Sequence, residues 1–532
     1  MNVPRVAVLA ALSLLVGCKA GGGPAERLQD LSQLELPADV HPDEPGTLVF
    51  ARAGDSLTLD PAAASDGESA KVIDSLFETL LAFDTDVQSP TRLVPGLATD
   101  WNHSADRMTW TFTLRRGVRF HDGTPLDAEA VKFSLERLVH LHHAFAPARV
   151  PYAATFRRIR EVRVLGPHRF QLGLLEPSVV LLHDLAMFAA SIVSPSAVKA
   201  KGAARFAREP VGSGPFRFES WERGSHIVLA ANRDWWPGGE RSTRRVVFLR
   251  VASWPARREL LKAGRVHMTD NVDFRDYGWL ETTSGVKIRR APGMNVCYLA
   301  INNEHAVLRD RRVRKAIAQA IDRERILRIG YSGAGVIAHD LLPASLGDDD
   351  PILPDTDVVT AKASFGRLRP QGIIELWYMK NSRPYVNDPE RVALILRECL
   401  ADAGLAVRLR AFEWLEYLKR IKAGEHHLAL IGWTSDNGDP DNFYSPLLSQ
   451  ESIGETNYTR LRNAQFESYL SASRGEESID TRHAYFRRMR SLLREDCPVV
   501  PLVHSTVAVA CRSSVAGFDV HPIHLHLYGV TK

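Results

Sequence analysis

The chain has 532 residues, of which 45% are hydrophobic and 24% charged, and its formal net charge is +4. This length exceeds what one hydrophobic core supports, so we expect a globular protein of two or three domains. No block of Lys and Arg interleaves with aromatic residues, which argues against nucleic acid as a partner.

The N-terminus has the pattern of an export signal. Arg5 precedes an apolar run, residues 6–16, which is too short to span a bilayer and has the length of a signal-peptide core. Residues 15–18, Leu-Val-Gly-Cys, resemble the lipobox of bacterial lipoproteins, which implies that Cys18 is lipidated and anchors the mature chain to a membrane. The alternative is a plain signal peptide with a chance cysteine. The Gly-rich and polar residues 19–45 predict a flexible tether.

Hydrophobic periodicity predicts the elements of the first half. Residues 46–51 form a short strand, 68–81 a helix, and 108–115 a half-buried strand with alternating apolar residues. Asp127 is placed to cap a helix over residues 128–138.

The second half predicts a βαβ unit. After a strand at residues 295–302 and a helix at 308–322, the pattern gives a strand at 373–378, a helix at 391–403 and a strand at 406–410. Two further apolar runs, 428–431 and 499–505, predict buried strands.

An acidic loop follows the strand at 428–431. Residues 432–442 hold three carboxylates, two Asn amides and a Trp, on a backbone shaped by Gly438 and Pro440. Trp433 is placed to wall a cleft, and Asp436 follows three residues later. An aromatic wall beside a fixed carboxylate suits a small cation such as a peptide amine. The alternative is an ordinary solvated turn.

A second charged loop follows the strand at 373–378. Ligands collect where the strands of βαβ units end, and Arg383 lies in this exit loop. The guanidinium fork can hold a carboxylate through two hydrogen bonds. The alternative is a surface ion pair.

These loops carry a resemblance. Residues 413–420 (Glu-Trp-Leu-Glu-Tyr-Leu-Lys-Arg), 424–426 (Gly-Glu-His) and 432–442 (Gly-Trp-Thr-Ser-Asp-Asn-Gly-Asp-Pro-Asp-Asn) are similar to the dipeptide-binding proteins of bacterial ABC importers. These belong to the peptide/nickel class of extracellular solute-binding proteins, family 5. The likeness runs from Gly46 to the C-terminus and includes the Arg-Pro-Tyr at 383–385.

The resemblance implies an α/β fold: a two-lobed periplasmic-binding-protein fold of the large type II class, with mixed sheets and a hinge between lobes. The implied divisions are a first lobe (46–294) with an inserted subdomain (about 86–205), a second lobe (295–502), and a return to the first lobe (503–532). It also implies a monomer in the periplasm or cell envelope that serves an ABC permease and ATPase.

The resemblance further implies the ligand contacts for a short peptide. Asp436 would pair with its α-amine and Arg383 with its carboxylate. Backbone groups around Gly432, Trp433 and Thr434 would bond it as an added strand, and Tyr385 and Asn437 would line the site.

Cysteines and histidines raise two other possibilities. Cys297, Cys399, Cys497 and Cys511 lack CxxC spacing, so we expect no metal site, whereas a Cys497–Cys511 disulfide stays open. The relatives' cysteine positions are not matched here. His521, His524 and His526 suggest a metal site, but period-two alternation along an exposed strand is the preferred interpretation.

Enzyme signatures are missing. The chain has no Gly-x-Ser-x-Gly, His-Glu-x-x-His or dinucleotide fingerprint, so we expect neither catalysis nor a cofactor. Binding of oligopeptides, haem or a metal chelate by the same fold is one alternative. A signalling or scaffold lipoprotein without a transport role is another.

Overall fold

The computed structural model describes residues 35–140, 142–238, 242–347 and 351–532. The predicted signal peptide, Cys18 and most of the tether lie outside this part. Near the tether's end, Val40 is buried in the body and the His226 ring bonds to Asp39.

The strands are β1 (Thr47–Arg52), β2 (Leu81–Phe83), β3 (Leu93–Pro95), β4 (Ala98–His103), β5 (Thr109–Leu114), β6 (Ile159–Gly166), β7 (Arg169–Leu174), β8 (Phe216–Glu222), β9 (His226–Ala231), β10 (Arg245–Arg250), β11 (Met268–Thr269), β12 (Val286–Pro292), β13 (Asn295–Ile301), β14 (Gly335–Ile337), β15 (Ile374–Met379), β16 (Val407–Phe412), β17 (Leu428–Thr434) and β18 (Val499–Arg512).

The α-helices are α1 (Gly67–Leu76), α2 (Ala128–Val139), α3 (Ala153–Phe156), α4 (Leu181–Asp184), α5 (Pro195–Phe206), α6 (Trp254–Lys262), α7 (Tyr277–Thr282), α8 (Arg311–Ala320), α9 (Arg323–Arg325), α10 (Val358–Leu368), α11 (Pro389–Asp402), α12 (Trp414–Lys422), α13 (Asp441–Leu448), α14 (Ala464–Arg474) and α15 (Ile479–Asp496). Within the described chain, no helix is both long and apolar enough to cross a membrane.

A mixed sheet organises the fold around β18. Its strand order is β16-β15-β17-β13-β18-β11-β1-β10-β9-β8, with β12 and β14 also paired to β18. The first half of β18 pairs with β13, and its second half pairs with β12 and β11. One long strand therefore ties together the two halves of the molecule.

The connection from β12 to β13 runs beside the middle of β18. Gly293 N–H donates to the carbonyl oxygen of Ser505, and the Asn295 side-chain oxygen accepts from Ser505 N–H at 2.9 Å. These bonds fasten the two chain segments together where the sheet passes from one half to the other.

Two hydrophobic cores flank the central sheet. Core 1 includes Tyr298, Leu376 and Leu430, and core 2 includes Phe112 and Leu135. Because side chains alternate along a strand, β1 contributes Val49 and Ala51 to core 1 but Leu48 and Phe50 to core 2.

A four-stranded antiparallel sheet, β4-β5-β7-β6, lies within the segment predicted as an inserted subdomain. The α/β fold with mixed sheets is as predicted. The lobe and subdomain boundaries stay predictions.

Several predicted elements are confirmed with small shifts. Asp127 caps α2 by accepting from Ala130 N–H at 3.0 Å, and β15, α11 and β16 form a parallel βαβ unit. Helix α1 ends earlier than predicted because Phe77 adopts extended backbone. Strand β18 runs on to Arg512 because β12 offers it a pairing partner, which no local pattern reveals.

The structure corrects one prediction from the sequence and answers one question that the sequence left open. The segment 521–526, expected to expose alternating histidines on a strand, is irregular and packed, so that prediction was wrong: His521 is only 7% exposed. All four cysteines of the described residues are free and buried, which closes the open Cys497–Cys511 question.

Candidate functional site

The end of β17 is paired with a neighbouring strand on one side only. Strand β13 pairs along its whole length, and Ser435 N–H extends the ladder to the Met294 carbonyl oxygen at 2.8 Å. Hydrogen bonds alternate along an antiparallel pair, so Trp433 bonds to Val296, whereas the N–H and C=O groups of Gly432 and Thr434 point away from β13.

No strand of the described chain covers that other side. β15 pairs with β17 only at Leu376↔Leu428 and Trp377↔Ala429. Beyond this point the Leu430 carbonyl oxygen accepts from the Tyr417 hydroxyl at 2.7 Å. The backbone at Thr434 is therefore placed to pair with an added extended segment, whereas Gly432 lies against Tyr385.

The Arg383 loop is held rigidly beside this edge. Arg383 and Val386 exchange backbone hydrogen bonds of 2.8 and 2.9 Å. The Tyr331 hydroxyl donates to the Tyr385 carbonyl oxygen at 2.7 Å, and Ser505 Oγ donates to that of Pro384 at 2.9 Å. Two residues distant in sequence, Tyr331 and Ser505, thus fix the loop.

Gly432 allows the two predicted loops to meet. A Cβ at Gly432 would overlap the Tyr385 ring and lie 2.5 Å from the Val296 carbonyl oxygen. Tyr385, only 6% exposed, therefore packs directly on the backbone of β17. The parallel strands β15 and β17 end at the same edge of the sheet, and this contact joins their exit loops.

Arg383 is stacked but carries no ion pair. Its guanidinium lies over the Trp414 ring, 3.6 Å from the centroid. Among the described residues it has no carboxylate within 4.0 Å, and its buried Nε has no hydrogen-bond partner. Burial lowers the pKa of Arg383 from its usual value. A stacked, partly desolvated guanidinium without a counter-ion favours an anionic ligand group.

Two of the three carboxylates in the acidic loop are already paired. Asp439 accepts from both terminal nitrogens of Arg482, at 2.6 and 2.7 Å. Burial alone would raise the pKa of Asp439, but Arg482 lowers it to about 2. Asp441 accepts from Arg474 Nε at 2.7 Å. Both side chains therefore hold helices α14 and α15 against the loop.

Asp436 is the carboxylate without a cation. Its Oδ2 accepts from the Tyr152 hydroxyl at 2.7 Å, and no Lys, Arg or His of the described chain forms an ion pair with it. Burial raises the pKa of Asp436 to about 6, against the opposing effects of Tyr152 and His524. A half-buried carboxylate whose charged form is disfavoured in this way gains most from a cationic ligand group.

The remaining predicted site residues differ in how accessible their side chains are to a ligand. Trp433 is half-buried, and its Nε1 donates to Asn442 Oδ1 at 3.4 Å. Thr434 is also half-buried. Asn437 is 1% exposed, and its amide donates to Asp184 at 2.8 Å and accepts from Asp439 N–H at 2.9 Å. Asn437 therefore shapes the loop, and its ligand contact stays a prediction.

Sequence reasoning missed Tyr152 and Trp414 as parts of the site. Tyr152 precedes α3, far from Asp436 in sequence, and no local motif distinguishes it. Trp414 lies within the stretch that carries the family resemblance, but nothing local shows that it stacks on Arg383.

The fold and the two charged loops define a two-lobed ligand-binding protein. Residues 92–455 match the family model for bacterial extracellular solute-binding proteins, family 5 Middle. The chain belongs to this family of solute-binding proteins.

Individual relatives cover nearly the whole chain. The di/tripeptide-binding protein 3 of Pseudomonas aeruginosa is 30% identical over 508 residues, 91% of this chain and 95% of the relative. The dipeptide-binding protein of Escherichia coli K12 is 30% identical over 505 residues, 90% and 93% of the two chains. The solved dipeptide-binding protein of Pseudoalteromonas sp. SM9913 in complex with Met-Leu is 25% identical with a TM-score of 0.81, covering 91% and 100%.

Proposed function

We propose that this chain captures short peptides, in particular dipeptides, between its two lobes and delivers them to an ABC permease. One observation carries the proposal. Two opposite charges, Asp436 and Arg383, lie in adjacent exit loops of one sheet edge, and neither has an ion-pair partner among the residues that the structure describes. A peptide zwitterion has the complementary pair of charges.

Each part of the edge has a role in this proposal. Asp436 binds the α-amine and Arg383 the terminal carboxylate. The N–H and C=O groups of Thr434 bond the peptide backbone as an added strand. The backbone of Trp433 is directed to β13, so this residue contributes its half-buried indole as a wall.

The preference for dipeptides follows from a fixed spacing. Rigid anchoring of the Arg383 loop, through Tyr331 and Ser505, holds the guanidinium at a set distance from the acidic loop. A ligand that satisfies both charges must match that distance, which selects length more strongly than side chain. Similarity to dipeptide-binding and di/tripeptide-binding relatives supports this choice.

The lipobox-like residues near the N-terminus support a proposal for the cellular location of the protein. We propose a periplasmic or envelope protein anchored through lipid on Cys18. A Cys18→Ser variant should move from the membrane to the soluble fraction on cell fractionation, with unchanged peptide affinity. Retention of the variant in the membrane fraction would contradict the anchor without affecting the binding proposal.

The decisive experiment identifies the natural ligand. Native mass spectrometry of the chain purified from an envelope extract should show bound masses that match dipeptides and disappear on mild activation. The Asp436→Asn variant should carry far less of this ligand, whereas Asp441→Asn should retain it. A bound haem, a metal chelate or longer peptides would replace the proposed ligand class. Absence of ligand together with no affinity for added dipeptides would favour a scaffold role.

A further inference from the structure

The segment 521–526 lies between the two cores and against the acidic loop. Ile523 packs on both core 1 and core 2. A Cβ at Gly438 would lie 2.9 Å from Ile523 Cδ1, so the acidic loop and this segment are in contact. Residues near the C-terminus thus reach the neighbourhood of Asp436.

Three imidazoles cluster on this segment, and one is fully bonded. His521 Nδ1 accepts from the N–H groups of Ile523 at 3.2 Å and His524 at 3.1 Å, and its Nε2 donates to the Pro90 carbonyl oxygen at 3.1 Å. His521 therefore has a structural role that consumes both ring nitrogens.

His524 and His526, unlike His521, are not bonded at both ring nitrogens. His524 Nδ1 bonds to Asp74 Oδ1 at 2.8 Å, and the other oxygen of Asp74 accepts from Leu525 N–H at 3.0 Å. The Nε2 atoms of His524 and His526 are buried without a hydrogen-bond partner among the described residues. The two ring centroids lie 6.1 Å apart.

Buried polar atoms without partners are rare and costly in folded proteins. Each unpaired nitrogen loses its hydration without compensation. Two such atoms in one cluster favour a partner supplied from outside the chain.

The cluster is electrostatically connected to the proposed amine site. Burial raises the pKa of Asp436 and nearby His524 opposes this rise. Burial alone would lower the pKa of His524, but Asp74 and, to a lesser extent, Asp436 raise it. His524 therefore lies within interaction distance of the carboxylate that would hold the ligand's α-amine.

We propose that His524 and His526 recognise the first side chain of the bound peptide and select an uncharged hydrogen-bonding group, an amide such as that of Gln. The proposal rests on the proposed function: it takes the α-amine to be bound at Asp436 and the first side chain to be directed to the segment 521–526, which contacts the acidic loop through Ile523 and Gly438. An amide both donates and accepts, so it can satisfy imidazole nitrogens in either tautomer.

The charged groups around the two histidines further limit which ligand side chains fit. Asp74 and Asp436 flank the cluster and disfavour an acidic side chain. His524, held towards its protonated form by Asp74, disfavours a basic one. An apolar side chain would leave both nitrogens unpaired, and a site built to hydrogen-bond strongly rejects an analogue that lacks the polar group.

Isothermal titration of the full chain with two peptides of similar shape tests this proposal. Gln-Ala should bind roughly 10- to 100-fold more tightly than Met-Ala, because the Gln amide bonds one or both of the imidazole Nε2 atoms that the Met side chain leaves unpaired. The reversed peptides Ala-Gln and Ala-Met should differ little, because their variable side chain lies away from the cluster. Equal or tighter binding of Met-Ala by the unmodified chain would overturn the proposal without any variant.

The variant His526→Phe removes one unpaired nitrogen at similar size. The Gln-Ala to Met-Ala ratio should fall severalfold, chiefly because Met-Ala binds more tightly. The matched control His142→Phe, at an exposed position, should keep the ratio. A folded His526→Phe chain, verified by a cooperative melt, with an unchanged ratio would refute the role of His526 while leaving peptide binding intact. If the unmodified chain binds none of these peptides, the proposed function itself fails.

Discussion

Replacing Asp436 by Asn is the most direct test of the site. The amide keeps the size of the side chain and can still accept from the Tyr152 hydroxyl, which lies 2.7 Å from Oδ2. Only the negative charge is removed. Because no cationic side chain of the described residues pairs with Asp436, the change affects the ligand amine far more than the protein.

The magnitude follows from closure of the site, because Asp436 is half-buried in the structure and a bound ligand amine would be enclosed with it. An ammonium left in a buried site without its counter-ion costs about 3–5 kcal/mol. At about 1.4 kcal/mol per tenfold change, the dissociation constant of a dipeptide such as Ala-Ala should rise by roughly two to three and a half orders of magnitude. Isothermal titration at pH 7 measures this directly.

Asp441→Asn is the matched control. Asp441 is bonded to Arg474, so its loss should lower the melting temperature and change the dissociation constant by less than about threefold. Equal, small losses of affinity in both variants would refute the assignment of Asp436 to the amine. Loss of affinity in Asp441→Asn alone would transfer the role to the other carboxylate.

Three further predictions concern the same edge. Arg383→Lys should weaken dipeptide binding by at least about tenfold, because Lys lacks the fork and the stacking on Trp414, but should scarcely affect a C-terminally amidated dipeptide; equal losses for both ligands would contradict the carboxylate role. Dipeptide affinity should fall as the pH drops through about 6, where Asp436 gains a proton and loses its charge, and this dependence should vanish in Asp436→Asn; a pH profile common to both proteins would point to another group. Gly432→Ala should lower the melting temperature, at a cost of about 1–3 kcal/mol, because its Cβ would overlap Tyr385; an unchanged melting curve would show that the Tyr385 loop moves freely.

Some features could be predicted because they depend on neighbours in sequence. The Asp127 cap acts on Ala130, three residues on, and the βαβ unit shows its apolar periodicity within each element. Arg383 was expected in an exit loop for the same reason, since the position of a loop after a strand is a local property.

Other features depend on residues that only folding brings together. From the composition of the acidic loop alone, Asp436, Asp439 and Asp441 are equally suited to bind a cationic ligand group. In the structure, Arg482 pairs with Asp439 and Arg474 pairs with Asp441. Similarly, the pattern of histidines at 521–526 suggested an exposed strand, whereas contacts with Asp74 and Pro90 bury that segment.

By itself, the sequence determined the α/β class, several of the strands, the two charged loops and the family, because periodicity, turn chemistry and motif spacing act over short stretches. Only the tertiary structure decided which carboxylate lacks a cation, which ring supports Arg383, and how far β18 extends. These depend on partners far away in the chain, since an ion pair, a stacked ring or a paired strand is set by distance in space.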